Sequence, residues 1–347
     1  MIYPFFRSLL FRLPPETAHG LTLRLLRLVG ALPPLSAAVR RLLGTHDLPS
    51  VPVRAFGLTF SNPVGLAAGY DKDALAWRGL AALGFGHIEV GTVTLRPQPG
   101  NPKPRLFRLP EQQALLNRLG FPSRGAAFVA QRLRGPRPPG LILGVNLGRN
   151  KTTPNERAVE DYLALARTFA PLADYLVVNV SSPNTEGLRR LQARAALEGL
   201  LLPLVRALQD LGDRATLPRS RPPLLVKLAP DLDDAALDDA LDVLLQAGVD
   251  GVIATNTTIS REGLPARWQR ERGGLSGAPL RAHSTAMIQA IHQRTSGRLP
   301  IIGVGGVLRP EDALEKREAG ATLVQVYTGL VYYGPTLPRD IILACAS

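Results

Sequence analysis

From residue 64 onward, short β-branched or Gly-rich apolar runs alternate eight times with helical patterns, and nothing else in the chain constrains its fold as strongly. The runs are Val64-Gly69, His87-Thr94, Ile142-Gly148, Tyr175-Ser181, Leu224-Leu228, Gly251-Thr257, Ile301-Val307 and Leu323-Thr328. Several are almost continuously apolar, the pattern of strands buried on both faces of a parallel sheet. Helical spacing fills the intervals, as in Ala74-Leu83, Asn155-Phe169, Asp233-Ala247 and Pro310-Ala319, with Asp233 and Pro310 suited to helix starts. Strand-helix alternation of this kind over about 250 residues predicts an α/β fold, the (β/α)8 TIM barrel. An open doubly wound sheet is the alternative, weakened by the lack of a G-x-G-x-x-G after the first run.

In a barrel the C-terminal strand ends converge on one face, where active sites form. Each run here ends in polar or small residues: Ala68-Gly69-Tyr70-Asp71-Lys72, Thr92, Asn146, Asn179 to Asn184, Lys227, Thr255-Asn256-Thr257, Gly303 to Gly306 and Tyr327-Thr328. Three connections exceed the barrel minimum: the Pro-rich Leu95-Phe121, the basic linker Asp213-Pro223, and Ser260-Gly277. Long loops on a catalytic face often wall the site, and the first and third are expected to do so.

Residues 1–44 depart from the alternation, and 45–347 form the expected barrel domain. Ile2-Leu13 is dense in Phe and Leu, Pro14-Pro15 break it, and Glu16-Gly30 sets Leu21, Leu25 and Leu28 on one helical face; six Arg against one Glu leave +5. Two short amphipathic helices so charged suit a peripheral anchor lying on an anionic bilayer, and equally a helical pair packed on the barrel.

At 347 residues, 45% of them hydrophobic, the chain can bury a large core. No run of 18 apolar residues and no signal peptide is evident. Its net charge of +13 is scattered, without long Lys/Arg runs or aromatic interleaving, so no nucleic-acid partner is expected. The single cysteine, Cys345, rules out an internal disulfide or a cysteine metal cluster, and the five histidines form no H-E-x-x-H pair, so no metal is expected. Arg outnumbers Lys 36 to five, which draws attention to Lys72, Lys103, Lys151, Lys227 and Lys316, since the two cations differ in geometry and pKa behaviour.

Gly303-Val304-Gly305-Gly306 after the seventh run and Tyr327-Thr328-Gly329 after the eighth stand where barrels frequently bind phosphate. Lys227 near a strand end needs an anionic or carbonyl partner, whereas Lys72 has a simple salt bridge to Asp71 or Asp73 open to it. Asn146, Asn179, Asn184 and Asn256 offer both donors and acceptors at analogous strand ends, as planar amide-like ligand edges require. On spacing alone, Ser181-Ser182-Pro183-Asn184-Thr185 reads as a turn, with no His or Asp nearby to complete a hydrolase triad.

Gly65 to Asp73, Asn117-Arg118-Leu119-Gly120-Phe121, Asn179 to Thr185, Ala254 to Thr258, Gly273 to Gly277 and Ile301 to Gly306 together closely resemble dihydroorotate dehydrogenases over nearly the whole chain. The resemblance implies a barrel holding FMN, with its phosphate near Gly277, Gly306, Tyr327 and Thr328. Ala68, Gly69, Tyr70, Asp71, Lys72, Thr92, Asn146, Asn179, Lys227 and Thr255 would contact the rest of the cofactor. Dihydroorotate would be held by Lys72, Asn117, Arg118, Leu119, Gly120, Phe121, Asn179, Asn184, Asn256 and Thr257. Ser182 matches the family's catalytic base; the soluble class has Cys there, so Ser182 implies the class that passes electrons to a membrane quinone, through a tunnel formed by N-terminal helices. With no organelle-targeting segment evident, a peripheral place on the cytoplasmic side of the cell inner membrane is expected, and a processed mitochondrial protein is the alternative. Tyr70, Leu119 and Thr328 stand where the family has Leu, Met and Ser. Two other readings compete: a Schiff-base lyase using Lys72 or Lys227, and a non-catalytic barrel binding a phosphorylated ligand at a membrane surface.

Overall fold

The computed structural model describes residues 3–213, 217 and 221–346. Most of the Asp213-Pro223 linker, together with Met1, Ile2 and Ser347, lies outside the described residues. All eight apolar runs become strands of one closed parallel barrel: Val64–Leu66, His87–Val93, Ile142–Leu147, Tyr175–Asn179, Leu224–Leu228, Gly251–Ala254, Ile301–Val304 and Leu323–Val326. Each pairs with its neighbours in chain order, and the eighth closes onto the first through Val324 beside Val64. Seven of the strands stop one to three residues before their runs do, because the polar tails peel away into loops at the C-terminal face, and Leu224–Leu228 ends with its run. Asp233 caps the helix Asp234–Ala247, accepting from Ala236 N at 2.8 Å.

Alternation along each strand sends every second side chain into the barrel. Tyr175, Val177, Leu225, Ile253, Ile302 and Leu323 pack an apolar interior against Ala55 and Phe60 of an antiparallel hairpin, Val53–Ala55 with Leu58–Phe60. That hairpin lies against the interior at the N-terminal end, so the opening to solvent is left at the other end. The two long excursions find each other: Leu106–Leu109, Ala114–Asn117 and Gly274–Gly277 form a three-stranded antiparallel sheet beside the catalytic face. Its pairing joins residues more than 150 positions apart, beyond the reach of local periodicity.

Residues 3–43 form three helices where two are expected: α1 (Tyr3–Phe11), α2 (Pro15–Ala31) and α3 (Pro33–Leu43). Leu32 breaks the second from the third, Pro33 and Pro34 start α3, and Gly44 ends it in the left-handed region. The helices are tied to the barrel: Tyr3 Oη donates to Val331 O at 2.7 Å, and Arg105 meets the Glu16 carboxylate at 3.0 Å. Helix α2 crosses the short helix Trp77–Leu80 at a glycine pair, where a Cβ on Gly79 would come within 1.8 Å of Leu26 O. Gly79→Ala is therefore expected to push α2 off the barrel, lowering stability by about 1–3 kcal/mol, to be read as an earlier urea midpoint.

Candidate active site

The C-terminal strand ends enclose a cavity of about 1000 Å³. Of the residues expected to bind substrate or cofactor, Ala68, Gly69, Lys72, Thr92, Asn117, Leu119, Gly120, Phe121, Asn179, Asn184, Lys227, Thr255, Asn256, Thr257, Gly277, Gly306, Tyr327 and Thr328 line it, as does Ser182. Both long excursions contribute wall, through Leu106, Leu115 and Ser276 as well as the expected residues.

Four expected residues lie elsewhere. Asp71 is buried and spends its carboxylate on Leu75 N and Ala76 N, each at 2.7 Å; desolvation pushes its pKa up to about 6. Arg118 turns outward to Glu271 at 2.9 Å and stacks over the Phe107 ring. Asn146 sits beneath the cavity floor, accepting from Thr92 Oγ1 at 2.5 Å and Asn179 Nδ2 at 3.0 Å. The ring of Tyr70 faces a second cavity, beside the N-terminal helices.

Lys72 does not take the salt bridge open to it. Its ammonium donates to Gly69 O at 2.5 Å and keeps some surface on the cavity, while Asp73 accepts from Arg124 N. Burial draws its pKa down to about 8, opposed chiefly by Asp73. Lys227 is 5% exposed and its ammonium makes no hydrogen bond among the described residues; burial lowers its pKa, and Glu89 opposes this. An ammonium so placed is costly unless an anionic or carbonyl-bearing ligand completes its shell.

The asparagines form a connected set. Asn184 Nδ2 donates to Asn117 Oδ1 at 3.0 Å, and Asn256 Nδ2 donates to Ser181 Oγ at 2.9 Å and Asn179 Oδ1 at 3.3 Å. Arg189, which sequence reasoning missed, ties this face together: it donates to Ser181 O and Thr257 O and pairs with Asp231 at 2.8 Å. No local motif marks it, since its partners come from three separate loops. Ser182 is 6% exposed and accepts from Asn184 N at 3.3 Å; Thr185 Oγ1 is buried without a partner among the described residues.

At the other end of the cavity Gly277, Gly305 and Gly306 take positive φ values of 98°, 125° and 74°. A Cβ on Gly277 would meet Gln113 O at 2.2 Å, and one on Gly306 would meet the Arg281 backbone at 2.5 Å. Only glycine gives this close backbone cradle, which with the Thr328 hydroxyl suits a phosphate. Together with the long cavity, the amide edges and the under-partnered Lys227, it fits a flavin mononucleotide.

A second cavity, of about 1160 Å³, opens between α1, α2 and the barrel. It shares Leu106, Leu115 and Tyr327 with the first, and its other walls include Tyr3, Phe11, His19, Tyr70, Arg108 and Val331. Tyr70 stands edge-on between His19, 5.0 Å between ring centroids, and Tyr327, 5.7 Å. Burial lowers the His19 pKa to about 4, keeping the ring neutral near pH 7.

The dihydroorotate dehydrogenase family model matches residues 50–345. The curated dihydroorotate dehydrogenase (quinone) of Roseiflexus sp. (strain RS-1) is 52% identical over 340 residues, 98% of this chain and 92% of that protein. The like-named protein of Anaeromyxobacter dehalogenans (strain 2CP-1) is 52% identical over 338 residues, 96% of this chain and 89% of its own. A crystal structure of DHODH from Eimeria tenella in complex with ferulenol superposes with a TM-score of 0.87 at 40% identity, covering 97% of this chain and 93% of that one. These relatives are oxidoreductases, which displaces both the lyase and the non-catalytic barrel. The chain belongs to the dihydroorotate dehydrogenase family, in the branch whose curated members are named for a quinone acceptor.

Proposed function

We propose that this protein oxidises dihydroorotate to orotate in pyrimidine biosynthesis, with FMN taking the hydride and a membrane quinone reoxidising it. The observation that carries the proposal is the meeting of Ser182, Lys72 and the asparagine set in one cavity that ends in a glycine cradle. FMN would rest its phosphate on Gly277, Gly306 and Thr328, beside Tyr327, with Lys227, Thr92 and Thr255 along the rest of it. When bound, it supplies a two-electron acceptor for hydride from the substrate. The chain's own part is to hold and deprotonate the substrate. Lys72 offers charge to the dihydroorotate carboxylate; Asn117, Asn184, Asn256 and Thr257 present matched donors and acceptors to its ring edges. Ser182 takes the C5 proton, and Thr185 or water carries it on, because an isolated serine hydroxyl is a weak base.

The second cavity serves the acceptor: it is mostly apolar, touches the first through Tyr327, and lies under helices α1 and α2. Ten of the thirteen exposed large apolar side chains among the described residues lie between Phe5 and Leu42, interspersed with arginine. No single helix there is long and apolar enough to cross a membrane, and α2 and α3 are bent by 113° at their break. Residues 1–44 thus act as a peripheral anchor on the cytoplasmic side of the inner membrane, and 45–347 as the catalytic barrel. Anaerobic dihydroorotate is expected to bleach the flavin spectrum of the purified protein, and a quinone, not fumarate, to restore it. Reoxidation by fumarate alone would overturn the class; a protein that dihydroorotate does not bleach would overturn the activity.

A further inference from the structure

Beneath the floor of the main cavity sits a carboxylate with no part in the chemistry above. Glu89, in the second barrel strand, is fully buried. Its Oε1 accepts from Asn146 Nδ2 at 2.7 Å, and its Oε2 from Gln325 Nε2 at 2.8 Å. It is also the group whose charge favours the Lys227 ammonium against burial. Isolated carboxylates are rarely buried, and one kept at the centre of a barrel needs a compensating use.

A carboxylate only accepts hydrogen bonds, so it decides which end of each neighbouring amide faces it. With its NH2 committed to Glu89, Asn146 turns Oδ1 upward, where it receives Thr92 Oγ1 and Asn179 Nδ2. Asn179 then presents its own Oδ1 to Ser181 Oγ at 3.1 Å and Asn256 Nδ2 at 3.3 Å. The same rule leaves Gln325 Oε1 without a donor among the described residues, in a residue that is fully buried and borders the cavity. Gln325 is the one polar residue in the apolar strand Leu323–Val326.

We propose that Glu89 is a positioning residue for dihydroorotate oxidation, whose carboxylate sets the donor-acceptor polarity of the Asn146, Asn179 and Asn256 relay, fixes the orientation of the Gln325 amide, and supplies the counter-charge of Lys227. This rests on the function proposed above. Glu89→Gln keeps the shape but puts an NH2 against one of two donors, so Asn146 or Gln325 must turn over or lose its bond.

In the flavin-loaded Glu89→Gln protein, the orotate Kd, titrated by the shift of the flavin visible spectrum, is expected to rise at least about tenfold. The flavin midpoint potential is expected to move positive, as Lys227 loses its counter-charge; a merely structural defect gives no reason for that direction. The swap Glu89→Gln with Gln325→Glu restores one carboxylate and a consistent donor-acceptor chain, and is expected to bring the Kd back to within about threefold of wild type. A folded Glu89→Gln protein with wild-type orotate affinity and potential would overturn the proposal, as would a folded swap no better than the single variant. Where Glu89→Gln alone does not fold, the swap decides: normal orotate affinity supports the role, and lost affinity or failure to fold overturns it. Wild-type protein that dihydroorotate does not bleach would remove the underlying activity instead, a distinct result.

Discussion

Replacing Ser182 by alanine is expected to slow anaerobic flavin reduction by dihydroorotate by about 10²- to 10⁴-fold, measured by rapid-mixing absorbance, with orotate affinity little changed. The hydroxyl lines the cavity, is almost fully buried, and accepts from Asn184 N while donating to no group among the described residues. In the proposed reaction it would receive the substrate proton, and Thr185 Oγ1, unpaired among the described residues, is an unspent hydroxyl three positions along the same loop. Alanine removes the proton acceptor and one long bond from the Asn184 backbone, but no contact of Lys72 or of an asparagine side chain, so chemistry and binding should separate. Ser182→Cys should regain part of the rate toward alkaline pH, since a free thiol ionises near pH 8.5, within about a unit. Undiminished reduction in Ser182→Ala would mean that the base lies elsewhere.

Lys72→Met is expected to weaken orotate binding about 100-fold, by removing the positive charge nearest the expected carboxylate. The wild-type pH profile carries the same signature. With the Lys72 pKa lowered to about 8, the ammonium is present at pH 7 and is lost as pH rises through 8, so orotate affinity should fall there. In Lys72→Met that alkaline fall should be absent. Stability runs the other way: below pH 8 both folded and unfolded chains carry the proton, and the folded state bears the cost of enclosing it. That cost disappears between the folded value of about 8 and the ordinary 10.5, so folding gains stability with rising pH across this window. Lys72→Met should accordingly melt no lower than wild type at pH 7 while binding orotate poorly. A variant that lost both would have failed by misfolding, and one that kept orotate affinity would remove Lys72 from the substrate site.

The barrel was legible because its strands announce themselves locally. Leu224–Leu228 is apolar but for Lys227 and buried along its whole length, and Asp233 and Gly248 bracket the helix that follows it. Lys72 and Lys227 stood out by scarcity, and the asparagines by recurring at strand ends, which closure of the barrel brings to one face. Less could be read of Tyr70 and Asp71. They follow the same motif as Lys72, yet the turn after Gly69 sends one ring to the second cavity and buries the other side chain as a cap. Arg118 lies in a motif of cavity residues but alternates outward, as the antiparallel pairing of Asn117 with Gly274 requires.

The amino-acid sequence by itself determined the eightfold alternation, the glycines that allow a phosphate cradle, and the residue types available at each strand end. Motif resemblance added the family. Only the tertiary structure decided that the excursions around residues 106–117 and 274–277 pair into one wall, that residues 3–43 form three helices rather than two with a second cavity between the first two and the barrel, and that the Asn146 and Gln325 amides face Glu89. These depend on contacts between residues distant in the chain and on which side of a closed barrel each side chain faces. Local spacing gives alternation, but the partner across the barrel is chosen by closure, and that choice sets the Asn146 and Gln325 amides against the buried Glu89.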